Sequence, residues 1–407
     1  MEEAAGKRIV AGAEEGTAGR AEEEAGGRAE EEAADAAEEG AAGGAEEPLR
    51  VSTLELFFDL VFVFAITQLT GVLARDLTLA SAARVLLLFG VLWWMYGGYV
   101  WLSNTRPPAQ PPERLLLLCG MAGFLIVGLA IPGAFGRDGV ALGLGYLLLV
   151  AVHAWLYHRV NANILRVVPF NLAAALLIIG AGLAGGAAAY GLWLAALAVL
   201  VVSPLIFGVR GRFAVRPDHF AERHGALVII VFGESVADIG IGTEGHAITV
   251  SLVVSAVLGL ALAAALWWSY FGVGDDENAE RALRQADPAV RPGLALAAFF
   301  YAYIPILLGI VTMAAALKRA IGEAGATLPY PACLALGGGV ALYLAGDAAF
   351  RRVLRIGGQR SRILAAAASL AVTAVGVTIS VAAVIALLAL IVAAALVNRR
   401  HPDSVKA

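Results

Sequence analysis

The chain has 407 residues, 60% of them hydrophobic and 15% charged, with a formal net charge of −4 and a mean hydropathy of +0.79. Soluble globular domains run at about half apolar and a quarter charged, so this balance excludes an ordinary soluble domain and a nucleic-acid binder built on a basic surface. It implies an all-α integral membrane protein, with the lipid bilayer as its first partner.

In chain order, residues 1–48 come first. They alternate Ala, Glu and Gly in low-complexity blocks such as AEEEAGGRAEEEAADAAEEGAAGG, carry almost no bulky apolar residue, and are expected to form a disordered acidic tail. No basic segment followed by an apolar core opens the chain, so no cleavable signal peptide is expected. Cys119 and Cys333 stand alone in separate apolar segments and form neither a disulfide framework nor a metal spacing. No cofactor and no metal is expected.

A bilayer core needs about 20 apolar residues per helix. Such stretches recur at 54–74, 80–102, 114–132, 139–158, 164–184, 187–208, 225–243, 247–272, 292–317, 329–350, 362–379 and 381–398. The last two divide one continuous apolar run. Twelve spans with a cytoplasmic N-terminus place 20 basic residues on the inner side and 5 on the outer side, with four more in the tail, out of 29 in all. That asymmetry follows the positive-inside rule and puts both termini in the cytoplasm. The expected divisions are a first membrane unit at 49–208, a basic cytoplasmic linker at 209–224, a second unit at 225–398, and a short basic tail at 399–407.

The two units look like copies. Span 2 carries Trp93-Trp94-Met95-Tyr96 and span 8 carries Trp267-Trp268-Ser269-Tyr270. His153 closes span 4 as Asp347 closes span 10, and both spans run into Arg-rich loops. Paired tryptophans alone could mark an interfacial belt, but the matched order of features points to two parallel six-helix repeats.

Acidic groups inside these apolar runs are the candidate functional residues. Glu55 and Asp59 lie one helical turn apart and share a face. A charge this deep costs about 2.5–3.5 kcal/mol on insertion scales, so it should face the bundle interior with a partner or water. The plainer alternative is a helix-start carboxylate capped by Ser52 or Thr53, which suits Glu55 better than Asp59. In the leading helix of the second unit, HFAERHGALVIIVFGESVADIG, the residues Glu222, Arg223 and His224 sit at the inner boundary. Glu234 and Ser235 lie mid-span, and Asp238 a turn beyond. Glu234 is expected to face the interior, either as an interhelical hydrogen-bond pin or as a proton- or cation-handling group. Gly233-Glu234-Ser235 is no nucleophile elbow, since that needs a strand-to-helix turn. His219 and His224, five residues apart, diverge on a helix and suit no metal. No catalytic constellation emerges, so an enzyme is not expected.

The combination of LELFFDLVFVFAITQL, HFAERHGALVIIVFGESV, WWSYF and the segment around Tyr301–Ile310 resembles the bacterial low temperature requirement A (LtrA) family over roughly residues 50–398. That resemblance implies a multi-pass membrane protein of no established biochemical activity. Over one helix, Phe57, Asp59, Phe62, Ala65 and Thr67 are also similar to the first-helix motif of the lysosomal potassium/proton channel family, with Phe58 in place of its Ser. In that family the first helix of each repeat lines the pore, which implies an ion path along Asp59 and Thr67. From the residues themselves, Glu55 and Asp59 are expected to form a polar cluster at the inner mouth, paired across the bundle with Glu222 and Glu234. The expected function is a small-ion or small-solute permease or channel-like protein, compatible with a small cation or proton as partner and with a homo-oligomer. The alternative is a non-transporting membrane protein supporting low-temperature or envelope homeostasis.

Overall fold

The structure, a computed structural model, describes residues 50–160, 165–207, 215–272, 274–321 and 325–397. The acidic tail, most of the expected linker and the C-terminal tail lie outside these residues. Helix α1 (Thr53–Arg75) starts at a capping box. The Ser52 hydroxyl accepts the Glu55 N–H, and the Glu55 carboxylate accepts the Ser52 N–H in return. Helices α2 (Leu79–Thr105), α3 (Pro111–Ala130), α4 (Gly139–His158), α5 (Val168–Ala184) and α6 (Gly186–Phe207) complete the first unit. The sharp break between α5 and α6 falls at Gly185 and Gly186, whose φ values of 64° and 53° suit glycine and few other residues.

Helix α7 (Pro217–Gly242) begins eight residues before the apolar stretch expected at 225, because Pro217 suits a first helical turn and the polar residues after it are buried rather than looped. Helix α8 (Val250–Phe271) and the short polar α9 (Asp275–Gln285) follow. Helix α10 (Arg291–Ala320) is interrupted by a π turn at Leu296–Tyr301. Pro305 lies just beyond; it lacks an N–H and so cannot donate to the Tyr301 carbonyl four residues back. Helices α11 (Tyr330–Leu354), α12 (Gln359–Gly376) and α13 (Val381–Val397) close the chain. The long apolar run divides at Thr378–Ser380, where Ser380 forms an isolated bridge with Thr327.

Each of the twelve expected spans coincides with one of these helices. Nine are long and apolar enough to cross a membrane among the described residues, while α5 and α13 are shorter apolar helices and α12, which opens on Gln359-Arg360-Ser361-Arg362, is not among the nine.

Helix adjacency follows one pattern twice. In the first unit α1 packs on α2 and α3, α3 on α4, α4 on α5, α5 on α6, and α2 reaches α6. In the second, α7 packs on α8 and α10, α10 on α11, α11 on α12, α12 on α13, and α8 reaches α13. Without a hydrophobic force between helices in lipid, close packing relies on small residues. A Cβ at Gly309 of α10 would lie 2.4 Å from the Tyr343 amide nitrogen, and one at Gly339 of α11 would lie 2.6 Å from that of Met313. Bare backbones therefore touch along the α10–α11 seam. Across the middle, α1 also packs against α7 and α10.

Candidate functional site

Helices α1 and α7 run side by side in the same direction. Glu55 meets His219, and Asp59 meets Arg223, each across 164 residues of sequence. An acidic i, i+4 pair on one leading helix thus faces a basic i, i+4 pair on the other. Glu55, Asp59, His219 and Arg223 are buried. Arg223 donates from Nη1 to Glu55 Oε1 at 3.0 Å and from Nη2 to Asp59 Oδ1 at 3.1 Å. It also donates to the Ser103 hydroxyl of α2, and its guanidinium lies 5.5 Å from the Phe58 ring centre and 5.9 Å from that of Tyr96. The Tyr96 hydroxyl donates to Asp59 Oδ1 at 3.0 Å. Asp59 Oδ2 has no hydrogen-bond partner among the described residues.

His219 is oriented by α2. Asn104 accepts from the Arg216 N–H and donates to the Arg216 carbonyl, each at 2.9 Å, which settles its amide orientation. Its Nδ2 then faces His219 Nδ1 at 3.4 Å, making that nitrogen the acceptor. The Nε2–H is left to point at Glu55 Oε1, 3.1 Å away. Two carboxylates therefore share one guanidinium and one imidazole. A cavity of about 30 Å³ touches Arg223 and Ser103 and is lined towards the helix ends by Arg106 and Glu113, which pair at 3.2 Å. That volume is about the share of a single water.

Further along the same seam, rings close the interior. Phe62 stacks on Tyr96 at 4.2 Å, Tyr96 on Trp93 at 5.3 Å, and Trp93 on Phe300 of α10 at 5.7 Å. The Trp93 indole N–H donates to the Phe300 carbonyl at 3.0 Å, within the π turn. Beyond this plug, Glu234 is half-buried beside Thr67, and buried Asp238 pairs with Lys318 of α10 at 2.7 Å. Arg319 donates to the Ala74 and Arg75 carbonyls at 3.4 and 3.3 Å, tying α10 to the far end of α1.

Several expected placements change. Glu222 is exposed and accepts the Val51 N–H at 3.1 Å, so it holds the entry to α1 instead of facing Glu55 across the bundle. Glu234 lies past the middle of α7, because that helix starts at Pro217, and it is only half-buried. His224 donates to or accepts from no acid in the cluster; its ring packs 5.0 Å from Phe299 and 5.2 Å from Tyr303. The Ser235 and Thr67 hydroxyls bond back to the Val231 and Val63 carbonyls. Trp93 is buried, whereas Trp267 and Trp268 are 37% and 54% exposed, so the W-W-x-Y motifs are matched in sequence but not in surroundings. Trp94 donates to Asn171 at 2.9 Å. His153 packs 5.2 Å from Tyr99.

Asp347, expected as a polar pairing residue, anchors a second buried cluster. Arg351 and Arg362 donate to its two oxygens at 2.9 and 2.6 Å, and both donate to the Ser269 carbonyl at 3.0 Å. The i, i+4 spacing of Asp347 and Arg351 was a readable signal. The arrival of Arg362 from α12 was not.

Nine described helices long and apolar enough to cross a membrane, some of them joined by buried ion pairs, point to the class of helical membrane proteins. Residues 50–397 match the family of bacterial low temperature requirement A proteins (LtrA), and the chain belongs to that family. It is also 28% identical over 322 residues to an uncharacterized protein of Rhizobium meliloti (strain 1021), an alignment covering 75% of this chain and 78% of that protein. No solved structure matches the chain.

Proposed function

We propose that every helix but α9, twelve in all, crosses a bacterial cell membrane with both termini cytoplasmic, as two duplicated six-helix units, and that the protein passes a small cation, proton or small solute between those units. The repeated adjacency and the basic bias of one set of loops support the architecture. The 17 residues of α5 and of α13 rise about 26 Å. That is a few ångströms short of a ~30 Å core, a mismatch a bilayer absorbs by thinning.

One observation carries the transport reading. Two fully buried carboxylates share a single guanidinium at the seam between the two leading helices, with Asp59 Oδ2 left over. A proton or a cation is the complement such a site lacks. In this reading the Glu55–Asp59–His219–Arg223 cluster is a latch at the cytoplasmic end, the Phe62–Tyr96–Trp93 stack a closed gate, and Asp238–Lys318 the latch opposite. Rocking of one unit against the other would exchange them.

A second reading has its own support. The gate is packed and the cavity at Arg223 holds about one water, which suits a bundle whose ions only pin the helices. Flux separates the two. Purified protein in liposomes, under proton and alkali-cation gradients of either sign, should conduct, and Asp59→Asn should abolish conduction while the protein remains folded. A silent wild type under every gradient would leave the structural reading standing.

A further inference from the structure

At the end of the bundle where α1 and α7 begin, a groove of about 940 Å³ runs between α9, the start of α10 and the end of α11. That size falls within the ~300–1,000 Å³ of ordinary ligand pockets. Its floor and walls are apolar, with Ala282, Leu294, Val353 and Ile356 among them. Its polar side carries Arg281 and Arg355 with the amides of Asn278 and Gln285, and no carboxylate lines it. Helix α9 turns Ala279 and Leu283 inward, both buried, and leaves Arg281 and Arg284 exposed. An amphipathic helix between two spanning helices belongs at the membrane–water interface.

The two guanidinium groups are unlike their neighbours. Arg284 is ion-paired with Glu280. The described side-chain partner of Arg281 is the neutral Asn278 amide, at 2.7 Å. Arg355 has no side-chain hydrogen bond or ion pair among the described residues. It is also the one non-glycine among them with positive φ, at 59°. A left-handed backbone is costly for a long side chain, and Gly357 and Gly358 stand two and three positions on. The strained turn holds the Arg355 side chain at the groove.

We infer that this groove binds an anionic phospholipid of the adjoining leaflet, its phosphate between Arg281 and Arg355 and an acyl chain along the apolar floor. Two uncompensated cations and no acid select negative charge. The apolar walls are what a free phosphate would leave uncovered and an acyl chain would fill. A zwitterionic lipid would bring a cationic headgroup against both arginines. The inference needs the chain to span a membrane and is independent of whether it transports.

The test compares full-length protein in phosphatidylcholine nanodiscs with and without phosphatidylglycerol, reading Tm, and counts retained lipids by native mass spectrometry. Ligand that binds only the folded state raises Tm. Wild type should gain several degrees with phosphatidylglycerol and retain it preferentially. Arg281→Gln with Arg355→Gly should lose that gain and retain at least tenfold less lipid. In phosphatidylcholine alone the double variant should be at least as stable as wild type, because glycine adopts the left-handed turn freely. Gly293→Leu projects into the groove from a position where a Cβ meets nothing within 4 Å, so it should weaken retention without unfolding. An undiminished gain in the double variant overturns the inference. So does a gain reproduced in full by water-soluble glycerol phosphate, which would make the site a phosphate site and not a lipid site.

Discussion

Arg223 bridges Glu55 and Asp59 with separate nitrogens of one planar group, and a lysine ammonium cannot repeat that geometry. Removing it leaves two buried carboxylates without their shared cation, and breaking a buried pair this way costs about 3–5 kcal/mol. Arg223→Met should therefore lower Tm sharply. Adding Glu55→Gln and Asp59→Asn to Arg223→Met should recover much of the loss, since no uncompensated charge remains. A triple variant as unstable as the single one would show that the guanidinium acts by packing on Phe58 and Tyr96, and not by charge. Glu234 and Asp238 should behave differently from each other. Asp238 is buried and paired with Lys318, whereas Glu234 is half-buried with a like charge one turn on. Thermal unfolding should show Asp238→Ala destabilised by about 1–3 kcal/mol, with Glu234→Gln within about 0.5 kcal/mol of wild type. A reversed order would mean that Glu234 has the stronger pairing.

Hydropathy located the helices because each stretch of lipid-facing or core-facing residues is apolar on its own, whatever its neighbours. It misplaced the start of α7 for the same reason. Pro217-Asp-His-Phe-Ala-Glu-Arg-His is polar enough to read as linker, yet His219, Arg223 and His224 are buried by partners on α1, α2 and α10. The π turn in α10 was likewise hidden, because an apolar run does not show where the helix widens within it. Close packing between helices gives a sharper expectation. A side chain at Gly339 would strike the backbone of α10 rather than a movable side chain. Gly339→Leu should separate α10 from α11 and reduce the yield of folded protein, whereas Gly338→Leu, with only Leu334 Cδ1 at 4.0 Å, should be tolerated. Equal yields for both would remove close backbone packing as the basis of that seam.

For the whole molecule, the twelve spans proposed above predict which loops face which side. With the native cysteines replaced, His246→Cys between α7 and α8 should react with a membrane-impermeant maleimide on intact cells. Gly357→Cys between α11 and α12 should react only after permeabilisation. Labelling on the same side would break the alternation, and the reverse pattern would invert the protein. The sequence alone determined that this chain is an all-helical member of the LtrA family with apolar helices of membrane-crossing length, roughly where those helices fall, and that Glu55 and Asp59 needed company. Those properties are local, written in runs of about twenty residues and in the cost of a charge inside them. Only the tertiary structure decided that the company is Arg223 and His219, that Glu222 stays outside, and that Asp347 gathers Arg351 and Arg362. Each of those outcomes depends on the rotation and register of one helix against another far along the chain, and a side chain carries no record of which distant residue will stand opposite it.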